Sequence, residues 1–263
     1  MDEASLRAVL ERVATGSLTP DRGVEELRDL PFSDLGYALV DHHRALRQGV
    51  PEVIYGQGKT REQILGITRA IVKQGENVLI TRIAEDAAAL LLDPAQGIEH
   101  FKYNPIARIG TVELTPPPHV NTMPVALVSA GTADMPVAEE CAETMRMLGV
   151  VHERVYDVGV AGIHRLLARR DIISRASVVI VCAGMEGALP SAVGGLVDVP
   201  IIAVPTSAGY GAALSGFTAM LCALSSCASG VTVCNVDNGF GAAFAAFRIF
   251  RAHKRATSKE ATP

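Results

Sequence analysis

The 263-residue chain has no tryptophan and only 5% aromatic residues, so any core must be filled by aliphatic side chains and alanine. Lysine and arginine (24) are outnumbered by aspartate and glutamate (28), giving a net charge of −4. That balance argues against a nucleic-acid partner, which would be held by clustered cations on phosphate. The one basic cluster, RAHKRATSK in the tail, reads as a solvated helix end. No apolar run reaches the ~20 residues that span a bilayer. The amino terminus, MDEASLRAVLERV, begins acidic and amphipathic, without a basic stretch leading into an apolar one. A cytoplasmic protein with no membrane partner is therefore expected. Cys141, Cys182, Cys222, Cys227 and Cys234 are odd in number and never fall in C-x-x-C spacing. This speaks against a disulfide framework and a zinc ribbon, and predicts free thiols.

What is present points to an α/β protein: 49% hydrophobic and 20% charged residues, in a chain long enough to bury a core without staples. Three consecutive prolines in TPPPHVNTMP (115–124) stop both helix and central strand. They suggest a small α+β domain over 1–118 and an α/β domain over 119–263. The first has amphipathic helical stretches near 4–14 and 60–73 and β-like runs NVLITRI and PIARIGTVEL. In the second, PVALVSA, VHERVYDVG, ASVVIVCAG, VPIIAVPTS and GVTVCNV alternate with helical segments and a final Ala-rich helix. Continuous apolar strands separated by helices predict a doubly wound parallel sheet covered on both faces. Ligands of such sheets bind beyond the carboxyl ends of the strands.

The strand-end turns are rich in glycine and small polar residues. In SAGTADMP, Ser129, Gly131, Thr132 and Ala133 can offer backbone and hydroxyl groups to a phosphate, and Asp134 can meet a ribose hydroxyl or cap the next helix. In CAGMEGALP, Glu186 lies between Gly184, Met185 and Gly187, either solvated or acting as a base. VPTSAGYG contributes Pro205, Thr206, Gly209, Tyr210 and Gly211, and NVDNGFG contributes Asp237 and Asn238. Further on, in SGFTAMLCALSSCASG, Phe217, Met220, Leu221 and Leu224 follow helical spacing, and Cys227 extends what reads as a buried stripe. Periodicity alone makes Cys227 and Cys182 core residues.

Several long blocks, SAGTADMPVAEE, CAGMEGALPSAVGGLVDVPIIAVPTSAGYGAALSG and SCASGVTVCNVDNGFGAAFAA, resemble the LarB family, which makes the first intermediate of the nickel-pincer nucleotide cofactor. DHHRALRQGVPEVIYGQGKT (41–60) resembles that family's amino-terminal signature. Some relatives carry the label of circadian phase modifiers, which leaves a non-enzymatic nucleotide-binding regulator as an alternative. The carboxyl-terminal part is also similar, more distantly, to aminoimidazole ribonucleotide carboxylase (PurE), a doubly wound fold assembling as octamers. The likeness to that enzyme breaks at its histidines. Ala188 stands where the second would be, and His164 and Arg165 fall too far into a helix to supply the first.

The LarB resemblance implies conversion of nicotinic acid adenine dinucleotide, with CO2 as co-substrate, into pyridinium-3,5-biscarboxylic acid mononucleotide and AMP. The purine-type carboxylase or mutase is the second alternative. A pyridinium is electron-poor and cannot attack CO2, so a thiolate must first add to the ring. The family's nucleophile maps onto Cys227, with Glu186 as general base. An ordinary thiol is only a few per cent ionised at neutral pH, and a helix carboxyl terminus does not help. The cationic ring itself is expected to stabilise the thiolate, with the stripe carrying the helix's last turn into the strand-end cleft. Mg2+ is expected for the phosphoanhydride step, although no carboxylate cluster names its ligands. The segment holding Asp41, His42, His43, Arg44, Arg47 and Lys59 offers contacts for the pyrophosphate or AMP half. A homo-oligomer, an octamer by the PurE resemblance, is implied.

Overall fold

Proline can neither continue a helix nor donate to a strand ladder, and the chain divides inside its proline run into two compact units, Met1–Pro116 and Pro117–Pro263. The computed structural model describes residues 3–27 and 32–260. The first unit begins with helices α1 (Glu3–Ala14) and α2 (Pro20–Glu26) and a hairpin of β1 (Phe32–Asp34) and β2 (Leu39–Asp41). There follow α3 (Arg44–Gln48), β3 (Val53–Tyr55), α4 (Arg61–Lys73), β4 (Val78–Thr81), α5 (Glu85–Leu92), β5 (Phe101–Asn104) and β6 (Ile109–Val112). The four-stranded sheet has the order β3-β4-β6-β5, parallel at β3/β4 and antiparallel elsewhere. Thr60 starts α4 with a reciprocal capping box to Gln63. The helix then turns Ile64, Leu65, Ile67 and Ile71 onto Val78, Ile80 and Ile83 in one cluster. The run 105–114 is strand only over Ile109–Val112, because Arg108 turns with φ +50°.

The second unit is a parallel α/β layer: β7 (Val125–Ser129), α6 (Met135–Met147), β8 (His152–Val155), α7 (Ile163–Leu167), α8 (Arg170–Ser174), β9 (Val178–Ala183), α9 (Leu189–Gly194), β10 (Ile201–Pro205), α10 (Phe217–Leu224), β11 (Val231–Val233) and α11 (Gly239–Glu260). Its sheet order is β11-β10-β9-β7-β8, all parallel. The three central strands are buried throughout, as expected when both faces are covered. Side chains alternate between faces: Ala126, Val128, Val179 and Val181 meet Leu166, Ile173, Leu189 and Val193. On the other face α6 and α11 approach closely over small residues, and a Cβ on Gly239 would lie 2.2 Å from the Val137 carbonyl oxygen.

The strip after the prolines is fastened to this unit. Pro118 lies so close to Gly149, itself at φ +71°, that a Cβ there would sit 2.1 Å from the Pro118 oxygen. Val120 N–H donates to the Gly149 oxygen, and the Asn121 side chain bonds both the N–H and the carbonyl of Val151.

Candidate active site

Numbered along the second unit, the strands stand in the order 2-1-3-4-5, so the chain leaves β7 and β9 toward opposite sides and opens a crevice at their carboxyl ends. One turn at that crevice runs from Ser129 to Asp134. Ser129 is buried and its hydroxyl accepts the Asp157 N–H at 3.4 Å, while Thr132 and Ala133 are exposed. Asp134 is only 4% exposed. Its Oδ2 accepts the Gly131 N–H at 2.8 Å, and its Oδ1 accepts both the Gly184 N–H at 3.0 Å and the Thr206 hydroxyl at 2.5 Å. Burial pushes this carboxyl upward, against the pull of those three hydrogen bonds.

The facing turn follows β9. Met185 is left-handed at φ +52° and Gly187 at φ +71°, which presents Glu186 to solvent between them. Two close approaches require the flanking glycines. A Cβ on Gly184 would lie 2.2 Å from the Ala208 oxygen, and one on Gly187 2.6 Å from Ala219 Cα. The Met185 N–H donates to the Ala208 oxygen at 2.8 Å, so this turn hangs from the one after β10.

That next turn divides into two parts. Pro205 and Thr206 are buried, whereas Gly209, Tyr210 and Gly211 are exposed, Tyr210 at 82%. Asp237, left-handed at φ +54°, accepts the Ser207 N–H at 2.8 Å, and Asn238 accepts the Gly241 N–H at 2.8 Å. The amino terminus of α11 holds a carboxylate of the protein: Phe240 N–H donates to Glu140, itself buried, at 3.2 Å. The sequence reading passed over Glu140; its signal was an acidic residue on the apolar face of AEECAETM.

Cys227 is not where the stripe reading put it. A crossover helix runs antiparallel to its strands, so α10 starts beside Gly187 at the carboxyl edge and ends at the amino edge, just before β11. The loop after it packs along α9, from that helix's first turn to its end. A Cβ on Gly194, at the end of α9, would lie 2.6 Å from the Ala228 Cβ, Ser226 shares a 2.7 Å hydrogen bond with Ser191, and the Gly230 oxygen accepts the N–H of Ile201, where β10 begins. Cys227 is exposed in this loop, next to Ser226, whose partner Ser191 stands in the first turn of α9, five residues after Glu186. The stripe itself is also inverted. Phe217, Leu221 and Leu224 are 57%, 58% and 63% exposed, while Ala219 and Ala223 are buried. The tight contact of Ala219 with Gly187 sets this rotation, because only a small side chain fits there.

Cys182 lies fully buried on the α6/α11 face, with its thiol pushed far up by burial and the nearby Asp134 carboxylate; held protonated, it is core. His164 is exposed and Arg165 pairs with Asp157 at 2.5 Å. In the first unit, Arg47 pairs with Asp41 at 2.5 Å and contacts the His43 ring at 3.0 Å, and Lys59 donates to the Tyr55 carbonyl at 2.9 Å. Burial raises the Asp41 carboxyl, but the hydrogen bond and charge of Arg47 outweigh it and leave it below the usual range. Arg44 is half-buried beside them, and Ser33 shares a 2.7 Å hydrogen bond with His42 Nε2. Among the described residues no group of three or more His, Cys, Asp or Glu is arranged to hold a metal. No helix among them is long and apolar enough to cross a membrane.

The chain matches the LarB/PurE-like N-terminal domain over residues 32–114 and the AIR carboxylase domain over 124–262. It is 37% identical over 244 residues to an uncharacterised protein of Methanocaldococcus jannaschii, covering 90% of this chain and 94% of that relative. Among solved structures, a PurE2 variant of Treponema denticola is similar over 53% of this chain and 94% of its own, at 21% identity and a TM-score of 0.40.

Proposed function

The chain belongs to the LarB family and carries an AIR carboxylase domain as its carboxyl-terminal half, and we propose that it carboxylates C5 of the pyridinium of nicotinic acid adenine dinucleotide and splits its phosphoanhydride. The products are pyridinium-3,5-biscarboxylic acid mononucleotide and AMP. The observation that carries this reading is the exposed Glu186 in the turn at the switch-point crevice. There the domain has a carboxylate and Ala188 rather than the histidine of the purine carboxylase. That set of groups suits proton removal from a covalent ring adduct better than direct carboxylation of an electron-rich imidazole.

The chemistry balances as follows. The Cys227 thiolate adds to ring C4, and the ring nitrogen takes up the electron pair, giving an enamine at C5. C5 attacks CO2; Glu186 removes the C5 proton; the C4–S bond breaks and aromaticity returns. Water then cleaves the phosphoanhydride. Mg2+ in this reading enters on the substrate's phosphates, since the described residues offer no ready protein site, and no step is assigned to it.

In this reading the thiol that meets Glu186 is lent by a second copy, since Cys227 stands exposed in the loop after α10 and not in the turn that bears Glu186. The outward stripe of Phe217, Leu221 and Leu224, which leads along α10 toward Cys227, supplies an apolar face for that association. The assembly proposed is a homo-oligomer, an octamer by the PurE resemblance. Incubation with nicotinic acid adenine dinucleotide and 13C-bicarbonate, followed by mass spectrometry, is the test. AMP with a labelled dicarboxylated mononucleotide is expected. Carboxylation of aminoimidazole ribonucleotide instead, or nucleotide binding without turnover, would overturn the reading.

A further inference from the structure

We infer that Asp134 is a positioning residue that locks three strand-end turns together and thereby sets the placement of Glu186, rather than a contact for a ribose or phosphate. This rests on the proposal that Glu186 is the base. The carboxylate is nearly sealed from solvent, and its bonds reach one group in each of three turns: Gly131 N–H after β7, Gly184 N–H after β9 and the Thr206 hydroxyl after β10. Gly184 is the first residue of the turn bearing Glu186. The second, Met185, is tied to Ala208, which follows Thr206 by two residues. The Glu186 turn is thus fixed at one end by Asp134 and at the next residue by the segment that Asp134 also holds. Thr206 is itself only 1% exposed, so the link between Asp134 and Thr206 is internal to the protein. A ligand hydroxyl entering the crevice meets the exposed Thr132, Ala133 and Glu186 before it meets this carboxylate.

The test separates this role from substrate binding. Thr206→Val removes the hydroxyl while preserving shape, Thr206→Ser retains it, and Asp134→Asn turns a donor against the Gly131 or Gly184 N–H. For Thr206→Val and Asp134→Asn, kcat should fall about tenfold or more while KM for nicotinic acid adenine dinucleotide stays within about twofold. Thr206→Ser should recover most of the loss, and the double variant should be no worse than the poorer single one. Amide hydrogen exchange over 183–188 should speed up in Thr206→Val and not in Thr206→Ser, a readout that needs no turnover. A raised KM with kcat retained would make Asp134 or Thr206 a ligand contact. Unchanged exchange in Thr206→Val would remove the lock. If the wild-type protein turns over no dinucleotide, the proposed reaction falls, while exchange still decides the lock.

Discussion

The two edges of the second unit's sheet are built differently. At the carboxyl edge, buried Asp134 and half-buried Asp237 and Asn238 spend their side chains on backbone N–H groups, and glycines bring turns into contact that a single Cβ would part. In the return from β10 to the amino edge, Cys227 stands exposed beyond a helix whose large apolar side chains face outward. One edge is finished within the chain; the other presents chemistry and apolar surface to something outside it. In the proposed reaction, where Cys227 and Glu186 come from two copies, chains disabled at one residue or the other should complement each other.

The largest expected effect tests that separation directly. Cys227→Ala should lower turnover by about a thousandfold or more, and Glu186→Gln by about a hundredfold or more. Mixing and reassembling the two dead variants should then restore roughly a quarter of wild-type activity, the statistical share of sites that draw both intact residues. No recovery from a properly mixed assembly would put both residues back in one chain's site. Next in size, Leu221→Asp should break the assembly into smaller species in sedimentation velocity and carry activity down with it. Unchanged size would mean that the stripe is not the contact.

Smaller is the cost of loosening the finished edge. Gly187→Ala forces a Cβ against Ala219 at a left-handed position, and should cost about 2 kcal/mol in urea unfolding. The smallest effect belongs to His152, at the amino-edge start of β8. Its Nδ1–H donates to the Val150 oxygen and its Nε2 is buried without a partner, so burial lowers its pKa from 6.5. A histidine depressed in the folded state contributes stability above its unfolded pKa and loses it as pH falls through the folded value. Unfolding free energy should therefore drop on acidification below about pH 6.5, and His152→Gln should shallow that slope.

Much of the finished edge was legible in the residues. Apolar runs such as VVIVCA and IIAVP announced central strands, and each Gly-rich turn after them lies at a strand's carboxyl end. The role of a turn residue was not legible, because Asp134 in TAD reads the same whether its partner is a ribose or the N–H of Gly184, fifty residues on. The α10 stripe misled for another reason. Periodicity identifies a helix's apolar face but not what covers it, and here alanines won the inside because Gly187 allowed no more room. That α10 carries the chain back toward the start of β11 could have been deduced, since the crossover between parallel strands must return to the next strand's beginning.

The strip from Pro117 to Asn121 has a practical consequence. A protease, or an experimenter separating the halves, would be drawn to this stretch as a tether. It is already hydrogen-bonded to the turn at Gly149 and Val151, through the Val120 N–H and the Asn121 side chain. Cutting at Met123 would strip a brace from the fragment meant to be kept, so the scissors belong ahead of the prolines.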